Sequence, residues 1–496
     1  MAFPPAGLEL LGWLALVPFL LALRRVGTGG ALLLGLLFSE GMGFLVADAL
    51  PVAVESYFEQ PRVLAWVFAA WVFAFTGGLY YMAFALAYRA LAQRFTRALP
   101  FLTAAAWATA ELGRGRLLTG TSFFVGNPWG LIGYSQTDLL PLVQIASITG
   151  VYGIGFLLVA VNAALVELWL AVRGSGGTPR RAAAGLLASM LPALAALAYG
   201  LVSLRAADAE DEGVVRVAVV QGNVDLGLRW KPEFYGRNLD EYLGLTLQAI
   251  DRARPQIVFW PEIALTFHLE DEPLYRRAIA RVLSEADVEL VAGGPRAEGD
   301  GPARYFNSVF LLSPEGDVLG RYDKQYLVPF SEYVPLPGLD LVKRQFGRVR
   351  FFHPGGATPP LPTRAGPAGI LVCNEAMLPE VAATRVREGA TYLVNPSNDS
   401  WIARRRWARL MFDIVALRAV EQRRYLVRAS TSGPSAIIDP WGRVRARAEP
   451  FSQGLVLGGI RPRSELSVYG RVGDLFAFCC AGAVVAALLA RWRPGG

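Results

Sequence analysis

Histidine and cysteine are scarce in this chain. Its 496 residues include two histidines and three cysteines. Three cysteines exclude a disulfide framework, and so few nitrogen and sulfur ligands exclude most zinc sites. A Ser-His-Asp arrangement is weakened as well, because only His268 and His353 are available as a base. Charge is sparse too. Charged residues make up 18% of the chain and hydrophobic residues 53%, with a mean hydropathy of +0.36. A soluble chain carries about 25% charged residues. Disorder is therefore excluded, and a membrane-embedded portion is expected. The formal charge of +7 fits basic cytoplasmic loops, so no nucleic-acid partner is expected.

What the chain has in quantity is long apolar runs. A membrane-spanning helix needs about 20 apolar residues. Six runs precede residue 205: Gly7–Leu23, Gly29–Val52, Val63–Leu86, Pro100–Leu112, Leu139–Val172 and Ala182–Val202. A seventh, Leu475–Leu489, lies near the C-terminus. The expected organisation is a bundle over 1–204, a charged α/β domain over 205–467 and a last spanning helix within 468–496. Arg24 and Arg25, then Arg89, Arg94 and Arg97, then Arg173, Arg180 and Arg181, and finally Arg491 and Arg493 follow alternate runs. Basic loops stay in the cytoplasm, which puts the block 205–467 on the opposite side. Arg114 and Arg116 fall outside that pattern, either as incidental loop charges or as a loop facing lipid headgroups. Glu40, in the middle of the second run, costs about 2.5–3.5 kcal/mol on insertion scales and should face the bundle interior. Cys479 and Cys480 read as packing residues of the last span.

Within the charged block, β-branched apolar segments alternate with helical spacing. Strands are expected at Val214–Val220, Gln256–Trp260, Glu289–Ala292, Phe306–Leu312, Val318–Arg321, Ala368–Cys373, Tyr392–Asn395, Tyr425–Ala429 and Ser435–Asp439. Helices are expected at Pro232–Ala253, Glu272–Glu285, Pro379–Glu388 and Arg406–Arg424. Ser313-Pro314-Glu315-Gly316-Asp317 supplies turn chemistry for a hairpin. The alternation predicts a two-sheet α/β sandwich.

Three residues at strand ends carry chemistry. Glu262 follows the apolar strand ending at Trp260-Pro261. Lys324 sits in an apolar and aromatic stretch, Tyr322 to Pro335, with Glu332 eight residues on. Cys373 follows Gly369-Ile370-Leu371-Val372 and precedes Asn374-Glu375. Each taken singly has a bland reading: a solvated carboxylate, a snorkelling lysine, an inert buried thiol. Together they supply a base, a cation and a nucleophile. A thiolate is the reactive form of cysteine, and a nearby ammonium lowers a thiol's pKa. A carboxylate can take the thiol proton, and the lysine can stabilise an oxyanion with the backbone N–H after the cysteine. His268 reads as a loop residue.

Residues about 213–465 resemble the nitrilase (carbon–nitrogen hydrolase) superfamily. The whole chain is similar to the bacterial apolipoprotein N-acyltransferases. The matching stretches are Ala2-Phe3-Pro4-Pro5; Trp107, Glu111, Arg114, Thr119 and Gly120; Gly133-Tyr134-Ser135-Gln136; Val219-Val220-Gln221-Gly222-Asn223; Leu327-Val328-Pro329-Phe330; Glu332-Tyr333-Val334-Pro335; Asn398-Asp399-Ser400-Trp401; and Gly470-Arg471-Val472-Gly473-Asp474. The resemblance implies a polytopic α-helical membrane protein with an inserted extracytoplasmic αββα sandwich. It implies Glu262 as base, Lys324 as oxyanion partner and Cys373 as nucleophile. Glu332 would be the supporting second glutamate, and Glu375, Trp230 and Asn374 accessory residues. Asn374 stands where the family commonly has an aromatic. The family also has one more helix upstream, so seven spans rather than eight are expected here.

The implied reaction moves an acyl chain from a phospholipid donor, through a Cys thioester, to the N-terminal amine of a diacylated apolipoprotein. No cofactor or metal is called for. The expected setting is a monomer in the bacterial inner membrane, with the catalytic domain on the periplasmic side. A membrane tether makes physical sense, since drawing a chain of about 16 carbons into water costs roughly 12 kcal/mol at ~0.8 kcal/mol per methylene. Two other readings stay open: a membrane-tethered amidase, which would turn over small amides, and a non-enzymatic membrane scaffold.

Overall fold

The computed structural model describes residues 3, 8–46, 48–117, 119, 126–208, 215–224, 232–299, 303–334, 351–400 and 404–490. The N-terminal half is a helical bundle. Four of its described helices are long and apolar enough to cross a membrane: Thr28–Val46, Arg62–Ala92, Val151–Val172 and Pro179–Ala207. Helix Leu99–Arg116 extends the short fourth run at both ends, and most of its residues are buried. Its low hydropathy follows from facing protein rather than lipid. Leu475–Leu489 returns the chain to the bundle and packs on Leu99–Arg116.

Two expected spans are not single helices. The first run forms a short turn, Glu9–Trp13, and then helix Val17–Arg25. Backbone groups freed by such a break need internal partners in an apolar setting. Buried Asn162 supplies them, accepting from Leu16 N–H at 2.9 Å and donating to Gly12 O at 3.0 Å. The run from Leu139 is interrupted as well. Leu140–Val143 and Ala146–Thr149 are single turns, and Gly150 breaks the path before Val151–Val172. Gly150 has φ +66°, and a Cβ there would lie 2.6 Å from the Tyr469 ring. Glycine alone satisfies both constraints. Helix Arg62–Ala92 widens to a π turn at Ala74–Gly78, beside which Ser39 Oγ donates to Phe73 O at 2.9 Å. Glu40 has Oε2 buried without a hydrogen-bond partner.

The inserted domain has two six-stranded sheets. The first contains β1 Val215–Gln221, β2 Ile257–Phe259, β3 Glu289–Glu298, β4 Arg304–Leu312, β5 Val318–Asp323 and β12 Gly454–Ile460, in the order β12-β1-β2-β3-β4-β5. The second contains β6 Leu361–Thr363, β7 Gly366–Ile370, β8 Tyr392–Ser397, β9 Leu426–Ser430, β10 Ala436–Ile438 and β11 Val444–Arg447, in the order β11-β10-β9-β8-β7-β6. Strands β1, β2 and β3 run parallel, as do β7, β8 and β9. Side chains alternate across β1: Val217 and Val219 enter the core between the sheets, while Ala218 and Val220 meet the outer helices. Helix Tyr235–Ala253 covers the first sheet with Leu239, Tyr242, Leu243, Thr246 and Ala249 on its buried face, at helical spacing. Pro379–Arg387 and Arg405–Gln422 cover the second sheet. The layers are therefore αββα. Strands β6, β11 and β12 went unpredicted.

Helix Arg405–Gln422 also faces the bundle. Arg418 and Glu421 are both fully buried and form an ion pair at 3.0 Å. Arg418 donates to Tyr134 OH at 3.1 Å, and Glu421 accepts from Val151 N–H at 3.0 Å. Arg423 donates to Gln144 at 2.6 Å and Ser147 at 3.1 Å. Arg116 pairs with Asp474, so it is no incidental charge. Breaking a buried ion pair from one side costs about 3–5 kcal/mol, while replacing both partners by apolar groups is often close to neutral. Glu421→Ala should lower the unfolding midpoint in detergent. The double variant Arg418→Met with Glu421→Met should unfold above that single variant, and the reverse order would show that the buried charge is not the destabilising factor.

Candidate active site

Glu262 leaves the first sheet just beyond β2. The turn is tight: a Cβ on Gly293 of β3 would lie 2.6 Å from Pro261 O and 2.7 Å from Glu262 Cα. Lys324 follows β5 and is pinned on both sides, its N–H donating to Asn307 O at 2.8 Å and its carbonyl accepting from Gly355 N–H at 2.8 Å. Glu332 closes the turn after Lys324 by accepting from Val328 N–H at 2.7 Å. Cys373 lies past β7, which ends at Ile370, and opens a 3-10 turn, Cys373–Met377. Its φ is +51°, a left-handed conformation that is uncommon outside glycine and often found at functional sites.

These side chains meet in one place. Lys324 Nζ is 3.4 Å from Glu262 Oε1 and 2.9 Å from Glu332 Oε2. Asn307 Nδ2 bridges the same two carboxylates, at 2.8 Å to Glu262 and 2.9 Å to Glu332. Asn398 N–H donates to the other Glu262 oxygen at 2.8 Å. The Cys373 thiol and the Glu262 carboxyl are close enough for each to shift the other's pKa. Lys324, Glu262 and Glu332 are buried, and Cys373 is half-buried.

Burial pushes the Glu262 carboxyl above the usual carboxylate range; the Lys324 ammonium opposes this and the Glu332 charge adds to it. For Lys324, burial acts downward, but Glu332 and Glu262 overcome it and hold the ammonium well above its ordinary value. Burial also pushes the Cys373 thiol up, Glu262 reinforces the shift, and Lys324 only partly offsets it. The ammonium does lower the thiol's pKa, but the combined effect of burial and carboxylate outweighs it, so the thiol is protonated at rest and needs a base when it reacts.

Glu375 is fully buried and ties the cysteine turn to the lysine loop. Its Oε1 accepts from Tyr322 OH at 2.8 Å, Gln325 N–H at 2.8 Å and Tyr326 N–H at 3.1 Å, and its Oε2 accepts from Val372 N–H at 2.7 Å. Asn374 donates to Tyr326 O at 3.0 Å. Trp230 lies outside the described residues. His268 packs against Tyr305 and His353 against Phe306.

Sequence reasoning missed three residues around this site. Asn307 is one, and its only signal was an amide inside the otherwise apolar strand Phe306–Leu312. Asn395 holds Leu371 O at 2.6 Å and Cys373 O at 3.2 Å. Arg428 backs it, contacting Asn395 and pairing with Asp399 at 2.6 Å. Strand β8 and the residue after it thus steady the cysteine carbonyl and the Glu262 carboxylate respectively.

An apolar cavity of about 150 Å³ lies between bundle and domain. Its walls include Val54, Phe68, Trp71 and Trp129 from the bundle, and Phe330, Met377 and Asn374, the neighbour of Cys373, from the domain. Phe68 and Phe330 meet edge to face at 5.3 Å.

The family model for the apolipoprotein N-acyltransferase N-terminal domain matches residues 1–164, and the carbon-nitrogen hydrolase model matches residues 216–465. The apolipoprotein N-acyltransferase of Geobacter metallireducens is 35% identical over 498 residues, spanning 99% of this chain and 92% of its own. This chain belongs to the apolipoprotein N-acyltransferase family. The apolipoprotein N-acyltransferase of Chromobacterium violaceum is 34% identical over 401 residues, covering 79% of this chain and 72% of its own. Among solved structures, a carbon-nitrogen hydrolase from Helicobacter pylori G27 overlaps 49% of this chain and 88% of its own, at 18% identity and a TM-score of 0.39. Membership in the apolipoprotein N-acyltransferase family bears out the resemblance read from the sequence, and the nitrilase-like sandwich on a helical membrane bundle bears out the expected fold class.

The electrostatics give a direct test. The rate at which a neutral haloacetamide alkylates Cys373 in detergent, followed by mass spectrometry of its peptide, should rise with pH. Its inflection should lie above about 8.5, the value of a free cysteine. An inflection at or below that value would contradict the balance of charges described here.

Proposed function

We propose that this chain transfers an acyl chain from a membrane phospholipid, through a thioester on Cys373, to the N-terminal amine of a diacylated lipoprotein. The observation that carries the reading is the apolar cavity, which joins bundle to domain and borders Asn374 beside the thiol. A chain lodged there avoids the roughly 12 kcal/mol cost of exposing about 16 carbons to water. The names of the relatives point the same way.

In the first half-reaction Glu262 takes the thiol proton as sulfur attacks the ester carbonyl. Lys324 and the backbone N–H after the nucleophile stabilise the oxyanion. The tetrahedral intermediate collapses, the C–O bond breaks, and the departing lysophospholipid oxygen receives the proton from Glu262. In the second half the neutral amine attacks the thioester and Glu262 accepts its proton. The C–S bond then breaks, and the thiolate is reprotonated by Glu262. Glu332 and Asn307 hold Lys324 and Glu262 in place, and Glu375 fixes the turn that carries the nucleophile. The chain works as a monomer in the bacterial inner membrane with the sandwich on the periplasmic side, as the arginines after alternate spans support.

Purified full-length protein in detergent, mixed with labelled phosphatidylethanolamine, should gain one acyl group on the Cys373 peptide. A diacylated lipopeptide should then discharge it as triacylated product. Cys373→Ser should abolish both steps, and Glu262→Gln should slow the first by at least about 100-fold, the lower end of general-base contributions. Turnover of small amides without an acyl-enzyme, or activity that survives Cys373→Ser, would overturn the proposal.

A further inference from the structure

Arg114 lies near the domain end of helix Leu99–Arg116, and only 8% of its surface is exposed. Its Nη1 donates to Trp129 O at 2.6 Å, and its guanidinium lies 5.6 Å from the centre of the Tyr81 ring. Nε and Nη2 are buried and make no hydrogen bond. Among the described residues no carboxylate forms an ion pair with it. Glu111, one turn earlier, is engaged by Ile132 N–H at 2.7 Å.

Nε and Nη2 form one edge of the guanidinium. Their N–H bonds run parallel, a fork that matches two oxygens of a phosphate or carboxylate. Glu111 feels the charge of Arg114 through space but accepts neither of these N–H groups, and a buried donor left unpaired is costly. Arg114 lines a cavity of about 30 Å³ whose walls mix polar groups of Ser39, Thr76 and Asn127 with apolar ones of Met42 and Phe73. A space of that size has room for one or two oxygen-sized groups. Thr76, Asn127 and Trp129 line both this cavity and the larger apolar one. A small compartment holding a cation and an apolar compartment therefore share a wall, and the turn of Cys373 also borders the apolar one.

We propose that the free edge of Arg114 binds the phosphate of a glycerophospholipid acyl donor, while one of its acyl chains occupies the adjoining apolar cavity. The inference rests on the acyl-transfer reading above and adds a substrate determinant to it. Two phosphate oxygens meet Nε and Nη2. The headgroup alcohol lies beyond the small cavity, so donors that share a phosphodiester are accepted whatever alcohol they carry, and donors without one are disfavoured.

The test follows acylation of Cys373 by mass spectrometry in the full-length protein, with phosphatidylethanolamine, phosphatidylglycerol, diacylglycerol and a p-nitrophenyl ester of the same fatty acid. Wild-type protein should react with the two phospholipids at similar rates and with diacylglycerol at least about tenfold more slowly. Arg114→Gln should slow both phospholipids about tenfold or more and change the two phosphate-free donors less than about twofold. Arg114→Lys, which keeps the charge but not the fork, should fall between. Tenfold corresponds to about 1.4 kcal/mol. Equal slowing of all four donors in both variants would make Arg114 a structural residue and overturn the proposal, as would no slowing of any donor. Inhibition of the wild type by inorganic phosphate that disappears in Arg114→Gln would assign the edge to a free anion and overturn the lipid assignment. Wild-type protein that acylates with none of the four donors would instead sink the acyl-transfer reading, whereas phosphate-independent acylation that Arg114→Gln leaves intact sinks only this one.

Discussion

One ammonium held between two buried carboxylates organises the chemistry of this protein. Lys324 faces both Glu262 and Glu332, and Asn307 spans the same pair from another side. Burial, reinforced by the Glu262 charge, outweighs the ammonium and holds the thiol's pKa up. Each group also fixes the position of the others, and elements far apart in sequence are tied together. Glu262 comes from the rim of β2, Lys324 from the end of β5, and Cys373 from the turn after β7.

The two halves of the molecule contribute different environments to one reaction. The sandwich supplies charged groups on a rigid frame, braced from behind by Arg428, Asp399 and Asn395. The bundle supplies apolar walls from helix Arg62–Ala92. The halves are joined by buried polar contacts, Arg418 with Glu421 and Tyr134, and Arg423 with Gln144 and Ser147. Polar links of this kind are directional, unlike apolar packing, and fix the angle at which the cysteine turn faces the cavity.

Much of this was legible in the sequence. Strand-length apolar segments ending in Glu262 and Cys373 marked the sheet rims, and Lys324 stood out in an aromatic stretch. What escaped was what depends on partners distant in the chain. Gly454–Ile460 carries three glycines and no clear alternation, and it becomes a strand only because β1 pairs with it. The break at Gly12–Leu16 reads as continuous helix until Asn162 is known to face it. The direction of the thiol's shift depends on how many carboxylates surround it, which spacing along the chain does not reveal. The lone amide of Asn307 gave a signal that means something only once Glu262 and Glu332 lie beside it.

The pairing of β12 with β1 runs antiparallel from Val215 opposite Ile460 to Gln221 opposite Gly454. The segment that opens the sandwich is thus sealed by the segment that closes it, just before the chain turns back into the bundle. During synthesis β1 must wait with one hydrogen-bonding edge bare, because its neighbour on that side is made last. An exposed strand edge invites foreign pairing, so the nascent domain is most vulnerable while its final helix is still inside the ribosome. The last strand and the last helix are therefore made in close succession, and a chain cut short before residue 454 loses both together.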